Sequence, residues 1–178
     1  MRKPATAQVD PELLNWRPDA DAVRQLVLAA ILKNNPIPVA YRLNYVANFY
    51  VGPLVAKMEK SFRLTRPEWI VLFCLIQQPR LNAQQISMVT GRPKTSVAGA
   101  VKQLQKKKLI TRKTDAANGR SRVLHITDAG RALYKKILGS FTARESDMLA
   151  CLDAGERQAL LRILEKIIQN GHDWAKPY

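Results

Sequence analysis

Twice between Leu64 and Ile86 the chain writes the same helix-start signal. Leu64-Thr65-x-x-Glu68-Trp69 and Leu81-Asn82-x-x-Gln85-Ile86 each set an N-cap residue three positions before an acid or amide, with apolar residues bracketing the pair. In such a capping box the two side chains satisfy each other's orphan backbone N–H groups, while the apolar pair staples the incoming chain. Pro79 ends the first helix after Gln77-Gln78, and Gly91 ends the second, which is short. Pro93 suits the first position of a third helix, where its missing N–H costs nothing. Val97, Val101 and Leu104 form the inward stripe of that helix. Two helices joined by a tight turn at Gly91-Arg92 read as a helix-turn-helix.

After Leu109 the hydrophobic period changes from 3.6 to 2. Residues 110–114 and 123–127 read as strands, with Asn118-Gly119 at the turn of a projecting hairpin. The flanks are helical. Val23, Leu26, Val27, Ala30 and Ile31 share one face of a helix over 19–34, which Asn34 to Pro38 interrupts. A long helix from Val39 carries Leu43, Val46, Tyr50, Leu54 and Met58 on one side, and Gly52-Pro53 should bend it. Thr127 caps a helix over about 128–150. Asp153 with Glu156 caps a last one bearing Leu160, Leu161, Ile163, Leu164, Ile167 and Ile168. The expected fold is mainly α (α+β): a winged helix-turn-helix core with a small β-hairpin wing and a helical dimerisation lobe. The expected division is a flexible arm at 1–18, the lobe at 19–62 and 128–178, and the winged core at 63–127. The terminal apolar stripes are more than a monomer can bury, so a homodimer is expected.

Charge narrows the partner. The chain has 29 Lys+Arg against 14 Asp+Glu, a formal +15. Between Arg92 and Arg122 lie Arg92, Lys94, Lys102, Lys106, Lys107, Lys108, Arg112, Lys113, Arg120 and Arg122 against the single acid Asp115. A basic helix-turn-helix followed by a basic hairpin is what double-stranded DNA demands. A helix fits the major groove, flanking lysines displace counterions, and an arginine on the hairpin tip reaches the minor groove. The candidate DNA-binding residues are Lys94, Thr95, Ser96, Gly99, Lys102, Arg112, Arg120 and Arg122. Membrane insertion is excluded from the reading, since no apolar run approaches the roughly 20 residues a span needs. The N-terminus has Pro4, Asp10, Pro11 and Glu12 where a signal peptide needs an apolar core, so a cytoplasmic protein is expected.

The order of these parts resembles the MarR family of bacterial regulators. The resemblance rests on Leu64-Thr65-Arg66-Pro67-Glu68-Trp69, on Gln103-Leu104-Gln105-Lys106-Lys107-Lys108-Leu109-Ile110, and on Asp115-x-x-Asn118-Gly119-Arg120 leading to Ile126-Thr127-x-x-Gly130. It covers about residues 38 to 170. It implies dimers built from the first and last helices, pseudo-palindromic operators, and relief by small aromatic acids. Three departures stand out. Asn118 replaces a second wing aspartate, and the recognition helix carries the small residues Ala98-Gly99-Ala100. Lys108 stands where the family has glycine, which requires either a non-glycine left-handed cap or a different helix end.

No catalytic site, cofactor loop or metal-ligand spacing is present in the sequence, and the expectation is no enzyme, no cofactor and no metal. His125 falls on a strand and His172 near the C-terminus. Cys74 lies in the apolar run Ile70 to Ile76, where a thiol is inert, so a cysteine-based redox sensor is the lesser reading. Tyr41, Arg42, Tyr45, Asn48, Phe49 and Trp69 are candidates for holding a small aromatic carboxylate, an arginine gripping the acid and rings enclosing its body. The bland alternative makes the aromatics core and leaves Arg42 solvated. The rival function from another class is a winged-helix interaction protein whose basic face takes RNA or an acidic protein.

Overall fold

Local start and stop signals act where the sequence writes them. The computed structural model describes residues 20–114 and 122–171. Within them run α1 (Ala20–Lys33), α2 (Pro38–Phe62), α3 (Arg66–Gln77), α4 (Ala83–Thr90), α5 (Lys94–Lys106), β1 (Ile110–Thr114), β2 (Arg122–Ile126), α6 (Asp128–Met148) and α7 (Ala154–Gln169). The expected arm over 1–18 lies outside the described residues. Strand β2 begins one residue earlier than its expected start at Val123, because Arg122 still pairs with Thr114. Pro93 is the N-cap of α5 rather than its first helical residue.

The chain divides into two compact units, one ending at Ala47 and the other starting at Asn48, so the boundary falls inside α2. In the first, Asn35 Oδ1 accepts the Ile37 N–H at 2.8 Å and turns the chain between the helices. Arg42 donates to the carbonyls of Pro38 and Leu32, closing the α1–α2 corner. None of the residues 21–47 is buried. Leu26 is 60% exposed and Val39 62%. A helical hairpin of this size has no interior of its own, and its apolar stripe needs a cover.

The second unit holds the core. Met58, Leu64, Leu72, Leu75, Ile86, Leu104, Leu124 and Ile137 are among its buried side chains, drawn from α2 to α6 and the hairpin. Helix α2 carries Pro53 inside it and continues as helix through that position. Proline has no N–H for the carbonyl four residues back, which is that of Phe49. Arg144 of α6 supplies the missing donor: its Nη2 donates to the Phe49 carbonyl and its Nε to that of Tyr50 at 2.9 Å. One side chain thus repairs the helix and ties α6 to it.

Helix α5 ends on Lys108 at φ +58°. The Lys108 N–H donates to the Gln105 carbonyl at 2.9 Å and the Leu109 N–H to that of Leu104 at 3.0 Å. These are the two bonds of a Schellman cap, made here by lysine in the left-handed position that glycine usually takes. Thr127 closes the far side of the same corner. Its N–H donates to the Leu109 carbonyl at 3.0 Å, and its hydroxyl oxygen accepts the Gly130 N–H at 3.1 Å as the N-cap of α6.

Candidate nucleic-acid interface

The interface is built on α4, the turn and α5. Asn82 and Gln85 form the expected capping box that starts α4, and Gly91 at φ +63° ends it. The Ser87 hydroxyl donates to the Arg92 carbonyl at 2.6 Å, bracing the turn. On α5, Val97, Ala100, Val101 and Leu104 are buried. The opposite face therefore presents Lys94, Thr95, Ala98, Gly99 and Lys102, all exposed, with Ser96 half-buried at its edge. A Cβ built on Gly99 would meet no atom within 4 Å, so nothing inside the chain calls for glycine there.

The wing is locked to this motif by its own backbone. Leu124 of β2 donates its N–H to the Leu81 carbonyl at 2.9 Å, just ahead of α4. Antiparallel pairing sets Ile110 opposite Ile126, Arg112 opposite Leu124, and Thr114 opposite Arg122. Side chains alternate along a strand, so Arg112, Leu124 and Arg122 share one face. That face is core at its root, where Ile110 and Leu124 are buried, and cationic farther out. There Arg112 and Arg122 join Lys102 and Gln105 of α5 around a cavity of about 280 Å³. The structure thus brings Lys102, Arg112 and Arg122 together, and Gln105 with them. Gln105 was missed from the sequence, although its place one turn after Lys102 on α5 was the available signal. Arg120 lies outside the described residues.

Lys107, just after α5, keeps about one-third of its side chain exposed but is tied to a buried acid. Lys107 Nζ donates to Glu68 Oε1 at 2.6 Å and to the Arg63 carbonyl at 2.6 Å. Glu68 is 1% exposed, and its other oxygen, Oε2, accepts the Thr65 N–H at 2.8 Å and the Thr65 hydroxyl at 2.9 Å. The sequence leaves Lys106, Lys107 and Lys108 open between phosphate-neutralising cations and a solvated helix end, and at Lys107 the structure adds an ion pair to a buried acid. A buried carboxylate has claimed its charge.

Residues 64–121 match the model of the MarR family. The winged core of this chain is similar to that family. A helix-turn-helix transcriptional repressor of Mycobacterium tuberculosis is 27% identical to this chain over 130 residues, covering 73% of it and 93% of the relative. A MarR-family transcriptional regulator from Silicibacter pomeroyi superposes with a TM-score of 0.70 at 23% identity, over 84% of this chain and 98% of that one. The regulator BpsR of Bordetella bronchiseptica, whose DNA binding is regulated by 6-hydroxynicotinic acid, superposes with a TM-score of 0.63 at 23% identity, over 72% of this chain and 91% of that one. The relatives so matched are transcriptional regulators. Its winged fold is the one expected.

The six candidate ligand residues fall in different units. Tyr41, Arg42 and Tyr45 belong to the first, where the two tyrosine rings lie 6.2 Å apart and Arg42 is engaged with carbonyls. Asn48, Phe49 and Trp69 belong to the second. Asn48 and Phe49 are exposed, while Trp69 is buried and stacks on Tyr134 at 5.0 Å and Phe141 at 4.6 Å. Cys74 is buried as expected, and burial pushes its thiol up from the ordinary range, away from the reactive thiolate. His125 pairs with Thr111 in the wing. Among the described residues no cluster of His, Cys, Asp or Glu has metal-binding geometry, and no helix is long and apolar enough to cross a membrane.

Proposed function

We propose that this chain works in the cytoplasm as a homodimeric repressor that binds a pseudo-palindromic DNA operator and is released by a small aromatic acid. The observation that carries the reading is the outer face of α5, a cationic helix surface with a glycine that no internal contact requires. Glycine inside a helix costs roughly 0.5–1 kcal/mol relative to alanine, a cost that close approach of another backbone explains. Lys94, Thr95 and Ser96 at the helix start then face base edges, as recognition helices present their N-terminal residues to the groove. The wing extends the contact along the backbone, and Arg120 is assigned to it from its place one residue past Asn118-Gly119 in the sequence.

Dimerisation is supported at both ends of the chain. Helix α7 has no buried residue, and Leu161 at 61% and Ile168 at 73% exposure continue a stripe that a second copy would cover. Each large side chain so covered contributes roughly 1.5–3 kcal/mol. In this reading residues 19–62 and 128–178 make the dimerisation lobe, 63–127 the DNA-binding domain and 1–18 an arm. Repression and relief by an aromatic acid are carried over from the mycobacterial and Bordetella relatives. To grip such an acid, Arg42 would exchange the carbonyls of Pro38 and Leu32 for a carboxylate.

Selection of bound fragments from a random duplex library tests the proposal. An inverted repeat should emerge and bind at least about a thousandfold more tightly than unselected DNA. A pool that never rises above random affinity would sink it in favour of a non-specific or RNA-directed surface.

Gly99→Ala gives a second test with opposed signs. The added methyl meets open space and improves helix propensity, so the melting temperature should rise, by the equivalent of about 0.5–1 kcal/mol. Affinity for the selected duplex should nevertheless fall. A variant that is more stable and binds equally well would show that no backbone approaches at Gly99.

A further inference from the structure

We propose that the cavity between α5 and the wing is a seat for one phosphodiester of the DNA backbone, which makes Lys102 a phosphate ligand rather than a reader of bases. The inference rests on the DNA-binding reading above and deepens it.

Two elements converge on the cavity by geometry alone. Ala98, Val101, Lys102 and Gln105 occupy one stripe of α5, at positions i, i+3, i+4 and i+7. Opposite them, Arg112 and Arg122 are diagonal neighbours on the paired strands, about 7–8 Å apart at the backbone and within reach of each other's long side chains. Three cations therefore line about 280 Å³ of space. Among the described residues none of the three has a carboxylate partner, and Glu68, the only acid on the three helices α3 to α5, is already held by Lys107. Like charges gathered this way repel one another until an anion arrives.

The rest of the lining says which anion. Ala83, Ala98, Val101 and Leu124 make an apolar floor beside the cations, suited to the face of a deoxyribose next to its phosphate. At about 280 Å³ the space lies just under the roughly 300–1,000 Å³ of pockets that enclose whole small molecules. A phosphodiester offers acceptor oxygens that two guanidinium forks and an ammonium can share, with the Gln105 amide as a further donor. Lys102 also stands in the C-terminal half of α5 beside the wing arginines, whereas base edges are met by the helix start. Contacts to phosphate position a protein on DNA without reading its sequence.

The test uses full-length Lys102→Ala and Arg112→Ala proteins, first shown to melt like the parent. Each is titrated against the library-selected duplex and a random duplex over a range of salt concentrations. Both variants should lose affinity for the two duplexes by the same factor, and the slope of log affinity against log salt should become shallower by about 0.9 for each cation removed. An uncharged methylphosphonate at the seated phosphate should weaken the parent and leave a Lys102→Ala/Arg112→Ala double variant no weaker than before. Loss on the selected duplex alone would overturn the inference and make Lys102 a base reader. Unchanged affinity and slope in both variants would overturn it as well. If the parent protein itself bound neither duplex, the DNA-binding reading would fail and this seat with it.

Discussion

Gly130→Ala should cost the protein about 3 kcal/mol, although the same change in most helices is harmless or helpful. A Cβ built on Gly130 would stand 2.3 Å from the Leu109 carbonyl oxygen and 2.8 Å from Ile126 Cγ1. The oxygen cannot swing aside without loss, because it accepts the Thr127 N–H that seats α6 on the α5–β1 corner. Overpacking of this kind costs typically 1–3 kcal/mol and occasionally more, and a backbone obstacle places it at the upper end. For a chain of this length the expected drop in melting temperature is about 6–12 °C. Gly139, in the same helix, is the control: an added Cβ there meets nothing within 4 Å, and Gly139→Ala should be neutral or stabilising by up to about 1 kcal/mol. Equal melting temperatures for the two variants would show that the corner gives way. The Thr127-x-x-Gly130 motif is thus a docking device: threonine caps the helix, and glycine lets it touch the carbonyl of the preceding cap.

Lys107→Ala should be the costliest single truncation among the basic residues, at about 3 kcal/mol. The substitution strands Oε1 of Glu68 in a site where the side chain is 2% exposed, and removes the donor to the Arg63 carbonyl. Removing one partner of a buried ion pair typically costs 3–5 kcal/mol; Lys107 is about one-third exposed, so water mitigates the loss and the lower end applies. A double-mutant cycle with Glu68→Gln separates the pair from its surroundings. The double variant should be more stable than the sum of the two single losses predicts, because the amide carries no uncompensated charge. Strict additivity would mean that the two side chains do not depend on each other. The same pair predicts a division of labour along the lysine run: Lys106→Ala should flatten the salt dependence of DNA binding, and a Lys107→Ala protein kept folded should not.

The features legible in the sequence are those whose partners lie within a few residues. Thr65 with Glu68, Asn82 with Gln85 and Asp153 with Glu156 all form the expected capping boxes, because a cap closes over one helical turn and needs nothing from the rest of the chain. The hairpin and the buried stripe of α5 were legible for the same reason, since period 2 and period 3.6 are local patterns. The lysine-for-glycine departure at Lys108 posed a choice between two helix endings; the structure takes the left-handed one, held by two backbone bonds.

Tertiary structure alone decided what is joined across long stretches of chain. Arg144 meets the carbonyl freed by Pro53 from 95 positions away, and Lys107 meets Glu68 from 39. No local pattern distinguishes either side chain from a solvated one. Trp69 reads equally as a staple, a core ring or a wall for a ligand, and only the approach of α6 sets it against Tyr134 and Phe141. Composition placed the cations between Arg92 and Arg122, but which of them are free depends on where the chain buries its few acids. Charge is a property of the sequence. Whether that charge faces a buried carboxylate or the solvent is settled by packing, because desolvating Glu68 is affordable only with an ammonium brought alongside it.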